Sequence, residues 1–181
     1  IFALPPASGS RIGIITNGGG NGVLAADAVE AEGLQVAGFS SESISALRAM
    51  LPTYTTPRNP MDLVGDADAA RYERALSILM KDPNVDVLVV IVLFQTAALD
   101  SSVVNVLVKA AQAKTKPIVV VSTGGEYTEL HRRILDGYGI PTYPSPSSAM
   151  RAVSRFLHYA DYRGRFHASE PYCNYMSKPK K

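Results

Sequence analysis

The residues best suited to chemistry are Thr16-Asn17-Gly18-Gly19-Gly20-Asn21-Gly22, which leave an Ile-rich run and lead straight into a helical pattern. Four glycines in five positions permit positive φ angles and let an anion approach with no Cβ in its way. The first N–H groups of a helix lack intrahelical partners, and the helix dipole favours negative charge there, so Asn17, Gly18, Gly19, Gly20, Asn21 and Gly22 read as a phosphate-binding loop. The same glycines also suit a ligand-free strand-to-helix turn. Gly20-x-Gly22-x-x-Ala25 fits the dinucleotide fingerprint formally, but Phe39-Ser40 stands where an acid is required about 20 residues on. A P-loop fails as well, because Val23 occupies the position of the lysine.

Two further segments come into question. Thr123-Gly124-Gly125-Glu126 is a second glycine turn before a helix, either a wall of the same cleft or a capped loop. Asn59 and Asp62 lie in a loop with three prolines, Pro52, Pro57 and Pro60, where Asp62 suits a ligand, a cation or an Asx turn. No second carboxylate is spaced to build a metal site. His131 stands beside Arg132 and Arg133 on what reads as a solvated helix face, His158 is in the final helix and His167 in the tail, so none follows a glycine loop. There is no nucleophile elbow, and Cys173 has no activating partner.

Stepping from β-rich to helical patterns locates these loops. Strands are predicted at Arg11–Thr16, Leu34–Phe39, Val85–Leu93, Pro117–Ser122 and Ile140–Tyr143. Helices are predicted at Asn21–Glu32, Ser41–Leu51, Ala67–Lys81, Ser101–Ala113, Thr128–Tyr138 and Pro146–Tyr162. Val23, Leu24, Ala28 and Val29 form the apolar stripe of the first helix, with Gly33 as its stop. Pro52–Asp66 is a long ordered loop. This alternation predicts an α/β fold, a five-stranded parallel sheet with helices on both faces, whose ligands sit at the carboxyl ends of the strands. Residues 1–10 read as a linker, 11–162 as the domain and 163–181 as a basic flexible tail.

Composition narrows the function. The chain has 181 residues, 46% hydrophobic, enough for a core of its own. The longest apolar run, Val87–Phe94, is far short of the roughly 20 residues of a membrane span. One cysteine cannot form an internal disulfide. The formal charge of +2 is uneven: from Arg163 onward there are five basic residues and one acid, leaving 13 basic against 15 acidic in the rest. A nucleic-acid surface needs a basic patch on the body, and none is supplied. With no secretory signal, a cytoplasmic address is expected, and the first residue, Ile1, suggests a piece of a longer protein.

Arg11-Ile-Gly-Ile-Ile-Thr-Asn-Gly-Gly-Gly-Asn-Gly-Val-Leu-Ala-Ala-Asp27, Asn59-Pro-Met-Asp-Leu-Val-Gly65, Asp82-Pro-Asn-Val-Asp86, Lys116-Pro-Ile-Val119 and Gly139-Ile-Pro-Thr-Tyr143 resemble the NDP-forming acyl-CoA synthetase family, and within it the ligase-CoA domain, the second flavodoxin-like module. Succinyl-CoA synthetase is a more distant relative. The resemblance covers about residues 8–162 and implies a flavodoxin-like, Rossmann-like three-layer fold. It implies a part in converting acyl-CoA, ADP and phosphate to acid, CoA and ATP through a phosphohistidine. The family's Ser-His-Thr-Gly motif is absent, so the histidine, the CoA-binding module and the ATP-grasp module must come from elsewhere in the same enzyme, and no catalytic residue falls in this chain. What carries over is the loop Asn17–Gly22, whose helix is implied to point at the phosphoryl group. ATP or ADP, Mg2+ and CoA are then cofactors of the complete enzyme, with none bound by this domain alone. Other readings are a non-catalytic synthetase-like domain of a protein acetyltransferase and a free-standing flavodoxin-like binding protein.

Overall fold

A computed structural model of the chain describes residues 4–166, with side chains through residue 162. The strands are β1 (Arg11–Thr16), β2 (Gln35–Val36), β3 (Met61–Asp62), β4 (Val87–Ile91), β5 (Ile118–Val121) and β6 (Thr142–Tyr143). The helices are α1 (Gly19–Ala31), α2 (Ser41–Met50), α3 (Ala69–Leu79), α4 (Ser102–Gln112), α5 (Glu126–Gly137) and α6 (Pro146–Phe166). All pairings are parallel, in the order β2-β1-β4-β5-β6. The five-stranded path is as the alternation predicts, and α6 continues to Phe166, past Tyr162. The tail from His167 lies outside the described residues.

Valine and isoleucine dominate β1, β4 and β5, as expected where both faces of a parallel sheet are covered. On one face α1 and α6 bury Ala25, Val29, Met150 and Val153 against Ile12, Ile14, Val89 and Val119. Leu4 and Ala7, in the segment read as a linker, pack against the same cluster. On the other face α2, α3, α4 and α5 cover Ile15, Leu88, Val90 and Val120 with Leu47, Tyr72, Leu76, Leu107 and Leu135.

The loop Pro52–Asp66 is more than a loop. It contributes β3, which pairs with the carboxyl half of β1 through Ile15↔Met61 and Thr16↔Asp62, while β2 holds the other half through Arg11↔Gln35 and Ile12↔Val36. The gap between them is filled by one side chain. Asn59 Oδ1 accepts the Ile14 N–H at 2.9 Å, and its Nδ2 donates to the carbonyls of Ile12 at 2.7 Å and Ala37 at 3.0 Å. A primary amide has the donors and acceptor of a peptide unit, so Asn59 continues the ladder where no strand runs. Its amide is engaged in joining β1 to the segment after β2.

Three other expectations change. The second strand shrinks from Leu34–Phe39 to two residues. Val23 and Leu24 are 59% and 56% exposed, because α1 turns Gly22, Ala25, Ala28 and Val29 to the sheet. The glycine positive φ angles fall at Gly33 (70°) and Gly139 (79°), not in the glycine loop. At Gly33 this conformation ends α1, with the Leu34 N–H closing on the Val29 carbonyl at 3.0 Å.

At the opposite end of the sheet the partly exposed Arg11 forks onto the buried Asp86. Asp86 Oδ2 accepts from the Arg11 backbone N–H and from Nε, both at 2.9 Å, and Oδ1 accepts from Nη2 at 2.9 Å. These hydrogen bonds from Arg11 hold the Asp86 carboxyl below its usual range, against desolvation. A lowered folded value means that the stabilisation is present above the unfolded carboxylate range, about 4, and disappears as pH falls through the folded value. Asp86→Ala is expected to cost about 2–3 kcal/mol at neutral pH, and the gap from the unaltered chain should narrow as pH falls below about 4 and close below the folded value. Urea midpoints measured across that range check both statements.

Candidate functional site

The glycine loop stands at the carboxyl end of β1, between β3 and β4, and is fastened from below. Thr16 Oγ1 accepts the Gly18 N–H at 3.0 Å and makes a second 3.0 Å contact with the Gly18 carbonyl. The Asn17 side chain is buried and fully occupied: Nδ2 donates to Leu93 O at 3.1 Å and Thr96 Oγ1 at 3.2 Å, and Oδ1 accepts from Leu93 N at 2.9 Å. Asn17 therefore ties β1 to the β4–α4 loop, and its amide is not free for a ligand. Beneath it, the fully buried Tyr72 of α3 donates to the Ile91 carbonyl at 2.8 Å. Burial pushes that phenol well up, opposed by the Asn17 N–H and reinforced by the charge of Asp62. Tyr72 reads in the sequence only as a core position of an amphipathic helix; its buried hydroxyl is the signal that it also supports the loop.

The four glycines have different work. A Cβ on Gly18 would run into the Leu93 side chain. One on Gly22 would press on Thr16 Cγ2 at 3.1 Å and Pro60 Cβ at 3.2 Å, so this glycine lets α1 lie close on the sheet. On Gly19 a Cβ would meet Asp62 Oδ2 at 2.7 Å, whereas nothing lies within 4 Å of one on Gly20. The N–H groups sort in the same way. That of Gly18 goes to Thr16, and those of Asn21 and Gly22 reach back to the Gly18 carbonyl at 3.0 and 3.2 Å. The N–H groups of Gly19 and Gly20 have no partner among the described residues. Helix α1 has no acid in its first turn and no capping side chain, whereas Ser40 caps α2 and Asp68 caps α3. An open, uncapped helix end with two free donors can hold an anion.

Asp62 stands at its edge. Its Oδ1 accepts the Val64 N–H at 2.8 Å, an Asx turn, while Oδ2 faces Gly19. An anion held by Gly19 and Gly20 would sit beside this carboxylate. Two unit charges ~4 Å apart in water repel by about 1 kcal/mol. Asp62→Asn should accordingly tighten inorganic phosphate by roughly fivefold; a titration giving equal or weaker affinity would refute the placement.

The second loop is built differently. Thr123, Gly124, Gly125 and Glu126 are all exposed. A Cβ on Gly124 would strike the side chains of Gln95 and Thr128, Thr123 Oγ1 donates to the Pro144 carbonyl at 2.7 Å, and Gln95 Nε2 donates to the Thr123 carbonyl at 2.8 Å. Glu126 and Glu129 occupy the first turn of α5 and oppose an anion there. The described contacts join each glycine loop to the β4–α4 loop, not to the other. His131 also departs from expectation: it is 5% exposed, its ring lying 4.5 Å from that of Phe94 and 4.4 Å from that of Tyr127, with Nδ1 donating to the Tyr127 carbonyl at 2.7 Å. Its neighbours Arg132 and Arg133 face Glu129 instead. His158 is exposed on α6, and His167 and Cys173 lie outside the described residues. Among the described residues no three His, Cys, Asp or Glu side chains gather to hold a metal ion, and no helix is long and apolar enough to cross a membrane.

Comparison with known proteins gives this geometry a family. Residues 12–164 match the model of the ligase-CoA domain. The chain is 40% identical over 151 residues to "Acetate--CoA ligase [ADP-forming] I" of Archaeoglobus fulgidus, covering 83% of this chain and 21% of that protein. It is 32% identical over 163 residues to "Acetate--CoA ligase [ADP-forming] II subunit alpha" of Pyrococcus furiosus, covering 88% and 36%. Among solved structures, PH0766 from Pyrococcus horikoshii OT3 superposes with a TM-score of 0.83 at 31% identity, over 89% of this chain and 38% of that one. The dinucleotide-forming acetyl-coenzyme A synthetase 1 of Ca. Korarchaeum cryptofilum, solved in complex with phosphate and ADP, gives 0.78 at 30% identity, over 90% and 35%. The chain thus spans well under half the length of these relatives. A family match along most of the sequence, with the same fold at this level of identity, makes the chain a ligase-CoA domain of the ADP-forming acyl-CoA synthetase family.

Proposed function

We propose that this domain serves an ADP-forming acyl-CoA synthetase, of the acetyl-CoA kind, by stabilising the phosphoryl group of a phosphohistidine that another module presents. The observation that carries the reading is the pair of unpaired N–H groups, Gly19 and Gly20, at the uncapped end of α1. A phosphoryl group on an imidazole keeps its negative charge, and fixed N–H donors on a helix dipole hold such charge without reorganising. Thr16, Asn17 and Tyr72 keep the donors in place. Asp62 adds selectivity, since its carboxylate disfavours free phosphate more than a group arriving with an imidazole N–H that Oδ2 can accept. The chain has no Ser-His-Thr-Gly segment; the histidine, the CoA-binding surface and the ATP-grasp site for nucleotide and Mg2+ belong to the rest of the enzyme, in the same chain or another subunit.

The test is to supply the domain to the remaining modules. Alone, it should form no acyl-CoA from acid, CoA and ATP. Added to a preparation holding the other modules, it should restore turnover of the phosphohistidine. Synthesis by the unaided chain, or full turnover without it, would refute the reading.

A further inference from the structure

We propose that Arg71 is a positioning residue of the phosphoryl site: it holds the Leu63–Val64 peptide in a strained orientation, and that peptide keeps Asp62 aimed at Gly19. This rests on the functional reading above and adds to it a residue that acts through another. Val64 has a φ of 68°. A β-branched residue in the left-handed region is an outlier that persists only where its surroundings enforce it. Gly65, which would adopt that conformation freely, stands one position further on and does not adopt it. The enforcing contacts sit at the two ends of one peptide group. The Val64 N–H donates to Asp62 Oδ1 at 2.8 Å, and the Leu63 carbonyl accepts from Arg71 Nη1 at 2.8 Å. The chain is anchored on either side, by the Leu63 N–H on the Thr16 carbonyl at 2.7 Å and by the Ala67 N–H on the Val64 carbonyl at 3.0 Å. The side chains of Leu63 and Ala67 are fully buried.

Turning this peptide over by about 180° would carry φ of Val64 from 68° to roughly −112°, within the ordinary range of a β-branched residue. Strain therefore favours the turned peptide, and Arg71 and Asp62 oppose it. In the turned form the N–H leaves Asp62 and the carbonyl leaves Arg71. Among the described residues the Val64 N–H is the one donor to the Asp62 carboxylate. Without it that side chain is free to swing away from Gly19, whose Cβ position lies 2.7 Å from Oδ2. Arg71 is well placed to prevent this. Its side chain is 13% exposed, and Nη1 also donates to Asp66 Oδ1 at 2.6 Å. Asp66 Oδ2 in turn accepts the Tyr54 hydroxyl at 2.6 Å, which fixes the pair. Asp66 offsets the charge of Arg71, so Arg71 reaches the anion through the peptide and Asp62, not as a free cation.

The test follows the peptide and the anion separately in the whole chain, by amide exchange at residue 64 and by titration with inorganic phosphate. In Arg71→Met the Val64 amide should lose its exchange protection, and phosphate should bind tighter by up to roughly fivefold, the change expected of Asp62→Asn. Val64→Gly/Arg71→Met is the contrasting variant. Glycine takes a φ of 68° without strain, so the peptide no longer needs Arg71 to keep its orientation. Protection at residue 64 should return, and phosphate affinity should come back to within about twofold of the unaltered chain. An Arg71 that merely braces the fold, or that acts through its charge, would give the same change in both backgrounds, and that result would overturn the proposal. So would a Val64 amide that stays protected in Arg71→Met. Should Arg71→Met fail to fold, Arg71→Gln, two bonds shorter and out of reach of the Leu63 carbonyl, takes its place with the same expectations. Phosphate that leaves the Gly19 and Gly20 amides unmoved in the unaltered chain refutes the functional reading instead, and the role of Arg71 at the site falls with it whatever the exchange shows.

Discussion

Gly20→Val in the complete enzyme is expected to slow phosphoryl transfer to the histidine by roughly 10²–10³, because blocking access to the N–H pair costs at least as much as the loss of one donor from a preorganised oxyanion-type site. Side chains in a helix tilt toward its N-terminus. A branched side chain at Gly20 would thus lean over the Gly19 and Gly20 N–H groups and occupy the volume of the anion. The fold should not register the change. No atom lies within 4 Å of the new Cβ, and valine is no worse than glycine inside a helix. Rapid-quench phosphorylation together with circular dichroism separates the two effects; normal transfer with the fold intact would contradict the account. Gly22→Val is the useful contrast, because its Cβ would press on Thr16 and Pro60 and should damage folding first.

The second large effect is on stability, at Asn59. Asn59→Ala leaves the Ile14 N–H and the Ala37 carbonyl without their amide partner, while the Ile12 carbonyl keeps the Ala37 N–H at 3.0 Å. With about 1–3 kcal/mol for each deprived group, the loss should reach about 3 kcal/mol or more. For a domain of this size that corresponds to a fall of about 6–12 °C in thermal midpoint. Asn59→Asp should be no milder despite its identical shape, since a carboxylate can accept from Ile14 but cannot donate to the two carbonyls. Thermal unfolding of both variants measures this. A drop of less than about 2 °C for either would show that β1 closes against β2 and β3 without the amide.

The sheet is legible in the sequence because its causes are local. Runs such as Val87–Ile91 and Ile118–Val121 suit only a strand covered on both faces, and the helices between them carry their own periodicity and stops. β3 is hidden for the opposite reason. It has two residues, and the edge it completes is held by a side-chain amide, which leaves no alternating pattern. Helix α1 misleads because it is apolar on both sides, so periodicity alone does not choose which face meets the sheet; small residues do, with Gly22, Ala25 and Ala28 allowing the closer approach. His131 misleads through its neighbours, since two arginines suggest a solvated face while the i+4 position, Leu135, points inward with it.

The site is legible in outline only. Glycine content singles out Asn17–Gly22 as the loop where an anion is expected, but it cannot divide glycines needed for packing, Gly18 and Gly22, from those at the open helix end, Gly19 and Gly20. That division depends on Thr16 at the end of β1, on Pro60 and Asp62 around β3, and on Leu93 after β4. Nor does it reveal that the Asn17 side chain is spent on Leu93 and Thr96. The two glutamates that disfavour an anion at the second loop are visible in the sequence, at Glu126 and Glu129, and gain their meaning once α5 is seen to begin at Glu126.

Whether Gly19 and Gly20 hold the phosphoryl anion is decided by titrating the chain with inorganic phosphate at constant ionic strength while following every backbone amide by NMR. Saturable shifts are expected, largest at Gly19 and Gly20, smaller at Asn21, and absent at Thr123–Glu126. If the amides of Gly19 and Gly20 stay still while others move, the anion binds elsewhere and the account is wrong.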